Sequence, residues 1–374
     1  MATKVGEKLP FLYFRDNLDW SHNTFRAITQ IACDGGDFGE IYRALKDVRV
    51  GNKEDWYRGW SGLAEYAENL AKDAVAKGHL VTAWKCFFRA FSYYRQAQHM
   101  LPQGDERKVS TYVKAVECFR DGGKYHIPPV EPVEIPYEGT TLNGYVIHRI
   151  TDHKSKGPGI VWFGGADSPA EELYFQGASE AIQRGLTCLV VNGPGQGLTL
   201  YVKKIYSRHD YEKPYTSAID FFIKRSEIDP NRIAIMGNSL GGYYVVRAAA
   251  FEERARAAVA YGAVYDVNED LFDFFPAIRP TLQWLVGARD EADAKAKFGQ
   301  FTLRNVANRV TCPLLIVHGE EDYVVKADAA YKTRDSVKGP VELRMWKGSH
   351  SVREFHKEVL SYMFDWVSDR LKKA

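Results

Sequence analysis

The sequence predicts an α/β protein, a mostly parallel sheet with helices on both faces behind an all-helical N-terminal region. Two observations carry this. Beyond residue 128, short apolar runs alternate with helix-length stretches, and the runs are apolar on both faces, as strands buried in a parallel sheet must be. Before residue 128, apolar residues recur at three- and four-residue steps with few strand signals.

The elements follow in order. Residues 55 to 100 carry helical periodicity with a break at Gly78 and read as an antiparallel helix pair. Pro128, Pro129, Pro132 and Pro136 cannot continue a helix, so a boundary is placed there: 1–128 helical, 129–374 α/β. VEIPYE and GYVIHRI, around Gly139 and Gly144, open the second part as an antiparallel hairpin. The core strands are GIVWF at 159 to 163, TCLVVN at 187 to 192, RIAIM at 232 to 236, AAVAY at 257 to 261, LLIVH at 314 to 318 and finally VELRMW. AEELYFQGASEAIQRG and PYTSAIDFFIKR are helix-length patterns between them. The EELYFQG within the first looks like an engineered protease site, but it lies between core strands and reads as native helix. Residues 266–310, between two core strands, are too long for a plain connection. They read as a lid carrying Phe272, Phe274, Phe275, Trp284, Phe298 and Phe301; helices packed on the sheet edge or on a second copy are the alternative.

Composition excludes several functions. Fifty Lys plus Arg against 48 Asp plus Glu leave a net charge of +2, too little for the phosphate attraction that nucleic-acid binding needs. The N-terminus lacks the apolar run of a signal peptide and no stretch approaches a membrane span, so a cytoplasmic protein without a membrane partner is expected. Cys33, Cys86, Cys118, Cys188 and Cys312 are odd in number, widely spaced and without a CxxC pair, which argues against a disulfide framework or a zinc site and for buried single thiols. Aromatics reach 13%; Trp56, Trp60, Trp84, Tyr93 and Tyr94, with the rings of 266–310, are candidate walls of a cavity for a ring-bearing substrate, against core filling as the alternative for any one ring.

Chemistry enters at Gly237-Asn238-Ser239-Leu240-Gly241, directly after the strand RIAIM and before the helical run YYVVRAAAF. A bare GxSxG arises often by chance, but in strand–turn–helix context the small residues allow a tight turn that lifts the Ser239 hydroxyl off the sheet. A serine hydroxyl needs a base for its proton, and the base needs an acid to hold its tautomer. LLIVHGEED delivers Asp322 after a strand, and Lys347-Gly348-Ser349-His350 follows the last one. The order Ser, Asp, His is that of the α/β-hydrolase arrangement. Glu320, Glu321 and Asp266 compete with Asp322, and His356 competes with His350; His318 is expected to order its loop. Backbone donors for an oxyanion are expected from Leu240 and from Gly165 or Ala166 in the loop after GIVWF. Gly193-Pro194-Gly195-Gln196-Gly197 lacks the lysine and spacing of a nucleotide site and reads as a sharp turn below the active site.

The loop FGGADSPAEE, the turn VVNGPGQGL, the elbow GNSLGG, the HGEED loop and the helical segment containing AFSYYRQAQ together resemble one α/β-hydrolase branch. That branch includes 2,6-dihydroxypseudooxynicotine hydrolase, FrsA-type esterase-like proteins and fungal hydrolases that shorten polyketide precursors. The resemblance implies a cofactor-free, metal-free and usually dimeric hydrolase whose N-terminal helices cap the site. It implies cleavage of a carbon–carbon bond beside a ketone on an aromatic or polyketide-type substrate, and an auxiliary acid for which Asp266, Glu269 and Asp270 are candidates. Two other functions stay open: an esterase, lactonase or thioesterase with the same three residues, and an idle binding or regulatory protein on this fold.

Overall fold

The computed structural model describes residues 12–15, 17–152 and 154–372. The chain divides into two compact units, Met1–His126 and Ile127–Ala374.

The first unit is helical: α1 (Leu18–Gln30), α2 (Phe38–Leu45), α3 (Lys53–Ala76), α4 (Leu80–His99) and α5 (Glu106–Tyr125). Asn17, Asp37, Asn52 and Asp105 each precede one of these helices and accept a first-turn amide, which satisfies donors the helix itself leaves open. α4 packs against both α3 and α5, which explains why its apolar residues go most of the way round. Its Tyr93 hydroxyl donates to Glu40 at 2.6 Å and its Tyr94 hydroxyl to Glu68 at 2.7 Å. Trp56 and Trp60 are fully buried and in ring contact with each other, and Trp60 also with Tyr93. These four rings, candidates for a cavity wall, fill the core of their own unit; Trp84 packs on Phe88 and His126.

In the second unit, β1 (Val130–Tyr137), β2 (Thr140–Ile147), β3 (Gly157–Phe163), β4 (Thr187–Asn192), β5 (Ile228–Asn238), β6 (Ala255–Tyr261), β7 (Leu314–Gly319) and β8 (Val341–Trp346) form one sheet in the order β1-β2-β4-β3-β5-β6-β7-β8. β1, β2 and β4 pair antiparallel, and every pair from β4 through β3 to β8 is parallel. The helices are α6 (Ala170–Leu173), α7 (Ser179–Gln183), α8 (Gly197–Tyr201), α9 (Glu212–Phe222), α10 (Leu240–Ala249), α11 (Arg279–Leu285), α12 (Glu291–Phe298), α13 (Asp328–Ser336) and α14 (His356–Leu371). β3, β4 and the inner half of β5 are buried almost without interruption, the signature of a sheet covered on both sides.

Two expectations change. The segment 171–177 is not one helix: a π turn, Tyr174–Ala178, separates α6 from α7. Gly177 in it sits at φ +143°, where a Cβ would come within 2.8 Å of Phe364 on α14, so close packing of that helix sets the break. Cys312 is half-buried, whereas the other four thiols are buried.

Residues 266–310 leave β6 and return to β7 through short helical turns, with Asp266 and Thr302 bridged at the base. Phe272, Phe298 and Phe301 belong to the core of the unit, the last in contact with Tyr243 of α10. For these rings burial in the core is what the structure shows. Phe274 stays exposed beside Lys326, Phe275 meets Tyr323 edge-on, and Trp284 meets Tyr201.

Candidate active site

β5 ends at Asn238 and α10 starts at Leu240, which leaves Ser239 alone in the corner at φ +56°, ψ −124°. That conformation is costly for a residue with a side chain and persists only where the surroundings enforce it. They do. The Ser239 amide donates to Tyr261 O at 2.7 Å, and its carbonyl accepts from Gly242 at 2.7 Å. A Cβ on Gly237 would sit 1.9 Å from Gly241 O, so the turn closes only with glycine there. Asn238 is held from both ends of its amide, by Trp162 Nε1 at 3.2 Å and by Gln176 at 3.0 Å.

The loop after β7 presents Asp322. Its Oδ1 accepts the amides of Val324 and Val325 at 2.8 and 2.9 Å, and its Oδ2 lies 2.7 Å from His350 Nδ1. Burial pushes this carboxyl up, but His350, His318 and the Val325 amide outweigh it and hold it below the ordinary carboxylate range. An ionised Asp322 can only accept, so His350 Nδ1–H donates to it. In the neutral imidazole Nε2 then carries no hydrogen and accepts from the Ser239 hydroxyl at 3.0 Å. Ser239, Asp322 and His350 are all buried, at 8, 6 and 4% exposure, which keeps their hydrogen bonds in a low-dielectric setting where they are strong.

The loop after β8 that carries His350 is itself strained. Ser351 and Val352 both take left-handed backbone angles, φ +59° and +44°, a rare state for a β-branched residue. It is pinned by Val352 N–H to Ser349 O at 2.9 Å, by Ser349 N–H to Glu354 Oε2 at 2.9 Å, and by the Tyr261 hydroxyl donating to Ser351 O.

His318 is fully buried with Nε2 at 3.3 Å from Val325 O and 3.4 Å from Asp322 Oδ2. Burial pushes its imidazole below the usual value, against the pull of Asp322. It orders the acid loop as a neutral ring. His356 starts α14 and is pushed down to about 4 by burial and by Arg353 and Lys357. The amides of Glu320 and Glu321 donate to Trp346 O and Gly348 O, which ties the acid loop to the end of β8.

The three acidic residues after β6 differ. Asp266 faces Arg304 and accepts the Glu269 amide; Glu269 pairs with Arg304 and Lys332. Asp270 is fully buried, and its Oδ2 accepts the amides of Tyr265 and Asp266 at 3.0 and 2.8 Å, while Oδ1 has no hydrogen-bond partner. Burial raises its carboxyl against those amides and Lys332. Its carbonyl accepts from Lys326, so it packs beside the loop of Asp322.

Leu240 is the first residue of α10, and its amide has no acceptor within the helix. Gly165 lies against Ser239: a Cβ there would be 2.9 Å from Ser239 Cβ and 3.4 Å from its Oγ. Ala166 follows, buried. Gln196, in the turn that the sequence offered only as a bend, reaches this loop with its side chain.

Residues 178–374 match the model of the prolyl oligopeptidase family. The chain belongs to that family. The chain is 31% identical to the α/β-hydrolase xenA of Xenoacremonium sinensis over 356 residues, covering 82% of this chain and 84% of the relative. It is 29% identical to the 20-hydroxy-prefusarin hydrolase FUS2 of Gibberella moniliformis, covering 84% of each. Among solved structures, 2,6-dihydroxy-pseudo-oxynicotine hydrolase superposes with a TM-score of 0.83 at 25% identity, over 92% of this chain and 96% of that one. This member of the family therefore sits in the branch that its elbow and loop motifs resemble. Among the described residues no helix is long and apolar enough to cross a membrane, and no group of three or more His, Cys, Asp or Glu converges as a metal site.

Proposed function

We propose that the protein is a serine hydrolase that cleaves a carbon–carbon bond beside a ketone in an aromatic or polyketide-type substrate. The relay of Ser239, His350 and Asp322 at 3.0 and 2.7 Å carries the hydrolase part. The likeness to 2,6-dihydroxy-pseudo-oxynicotine hydrolase and to the fungal relatives supports the bond type.

In this reading Ser239 Oγ attacks the carbonyl while its proton passes to His350 Nε2, and Asp322 stabilises the imidazolium. The amides of Leu240 and of Gly165 or Ala166 receive the oxyanion. The carbon–carbon bond then breaks with its electron pair on the departing carbon, where ring hydroxyls or a second carbonyl delocalise it and an acid protonates it. The proton that His350 took from Ser239 replaces the one the acid gave up, so His350 is neutral again when water attacks the acyl group; it takes the water's proton and delivers it to Ser239 Oγ as the ester bond breaks. Asp270 is the proposed auxiliary acid, because it is the fully buried one of the three candidates and burial raises its carboxyl; its Oδ1 makes no hydrogen bond and lies 4.0 Å from Lys332 Nζ. Residues 1–128 are proposed as cap and dimerisation region and 266–310 as a lid, in a cytoplasmic homodimer; a monomeric mass in light scattering removes the dimer.

A fluorophosphonate probe is expected to label the protein, and Ser239→Ala to abolish labelling; no labelling of the intact protein removes every hydrolase reading. Assay of acylphloroglucinols beside p-nitrophenyl esters then decides the bond. Ester turnover without ketone cleavage leaves an esterase, a reading the same relay supports with no auxiliary acid. For Asp270→Asn, ketone cleavage is expected to fall about 100-fold, more than ester turnover; an equal fall in both removes its role as acid.

A further inference from the structure

We infer that Gln196 is a positioning residue for the oxyanion site, the clamp that sets the direction of the loop amides after β3. This rests on the hydrolase reading above and extends it to a residue that touches no substrate.

β3 and β4 are parallel neighbours, so the loops that leave their ends, 164–168 and 193–197, start from the same edge of the sheet. Gln196 spans them. Its Nε2 donates to Gly164 O at 2.5 Å and to Gly165 O at 3.0 Å. Its Oε1 accepts the Gly193 amide at 3.1 Å and lies 3.2 Å from the Tyr211 hydroxyl, which is also 3.1 Å from Pro194 O. The orientation of this amide has no alternative: flipped, its oxygen would face two carbonyl oxygens and its nitrogen a backbone N–H. The side chain is 2% exposed and every polar atom on it is used within the protein. A turn residue needs none of this.

The consequence follows from peptide planarity. In a trans peptide the C=O and N–H point in opposite directions and turn as one plate. Gly164 C=O shares its plate with the Gly165 amide, and Gly165 C=O with the Ala166 amide. Holding both carbonyls on Gln196 therefore aims both candidate donors away from Gln196 and fixes their angle. Gly165 needs such a constraint, since it has no side chain to anchor it and packs against Ser239. Gly164 O is also the atom a Cβ on Gly241 would meet at 2.7 Å, so the same plate sits against the elbow.

The test uses the full chain and two readouts that depend on the oxyanion site: the rate of Ser239 labelling by a fluorophosphonate and the affinity for phenylboronic acid, whose tetrahedral adduct on Ser239 carries an oxyanion. Gln196→Met keeps the length and apolar stem but neither hydrogen-bonding end. Both readouts are expected to fall together by about 10- to 100-fold, the scale of a displaced catalytic group. Tyr211→Phe, which leaves the clamp on both carbonyls but removes a hydroxyl beside Oε1, is expected to lower both about 3-fold, a small share of that range. Reduced thermal stability with both readouts unchanged overturns the proposal, and if Gln196→Met does not fold, unchanged readouts in Tyr211→Phe do so. A wild-type chain that is not labelled removes instead the hydrolase reading on which the clamp rests.

Discussion

Asp322 shows how much one side chain of this site carries. It caps its own loop through two amides, fixes the tautomer of His350 and has His318 alongside. Only the second duty belongs to the proposed chemistry. Asp322→Asn should keep the amide caps through the side-chain oxygen while its NH2 faces His350 and forces the wrong tautomer. Activity on a p-nitrophenyl ester is expected to drop about 10⁴-fold with a modest loss of stability; retention of activity within 10-fold would sink the relay. At Gly165 the lack of a side chain bears directly on the site, because a methyl group there meets Ser239 itself and Asn238 O at 2.9 Å.

At the level of elements, the elbow works because strand, corner and helix are closer than ordinary residues permit. α10 approaches the end of β3 so nearly that a Cβ on Gly241 would be 2.7 Å from Gly164 O and 2.9 Å from Phe163 O. Neither is a flexible side-chain tip that can swing aside. Gly241→Ala is therefore expected to destabilise the fold by about 1–3 kcal/mol and to slow labelling of Ser239. Urea unfolding with matched labelling rates checks both; an alanine variant equal to wild type in each would mean the two elements are not locked. The break between α6 and α7 follows the same logic: Gly177 takes φ +143° where α14 packs so close that a Cβ would meet Phe364 at 2.8 Å.

For the whole molecule, acid sensitivity follows from groups buried in their neutral or paired forms. The imidazoles of His318, His148 and His356 lie below the usual histidine range, the last at about 4, chiefly through burial. Below pH about 6.5 the unfolded chain therefore binds more protons than the folded one, and stability falls as pH drops toward 4. Carboxylates held low by partners, among them Asp322, Glu180, Glu227 and Glu252, lose their contribution as pH falls further through their folded values. Asp270 runs the other way, gaining a proton earlier in the folded state, but is one group against several. The urea midpoint is expected to be level above pH 7 and to decline steadily from 6.5 to 4, and His356→Gln to flatten that decline. A midpoint constant down to pH 4 would show that these histidines titrate freely when folded.

The sequence by itself determined the layered α/β class, the helical first part and the three residues the structure brings together at the site. The reason is physical locality. An elbow must be built from small residues two positions on either side of its serine, buried parallel strands must be apolar on both faces, and acid and base must leave strand ends in a set order. Only the tertiary structure decided that Gln196 grips carbonyls 31 and 32 residues away, that Asp270 is the buried one of three acids, and that Trp56, Trp60, Phe298 and Phe301 fill cores. Such facts depend on which strands lie side by side. β4 is inserted between β2 and β3, so the loops after β3 and β4 meet across space with nothing in either segment to announce the other.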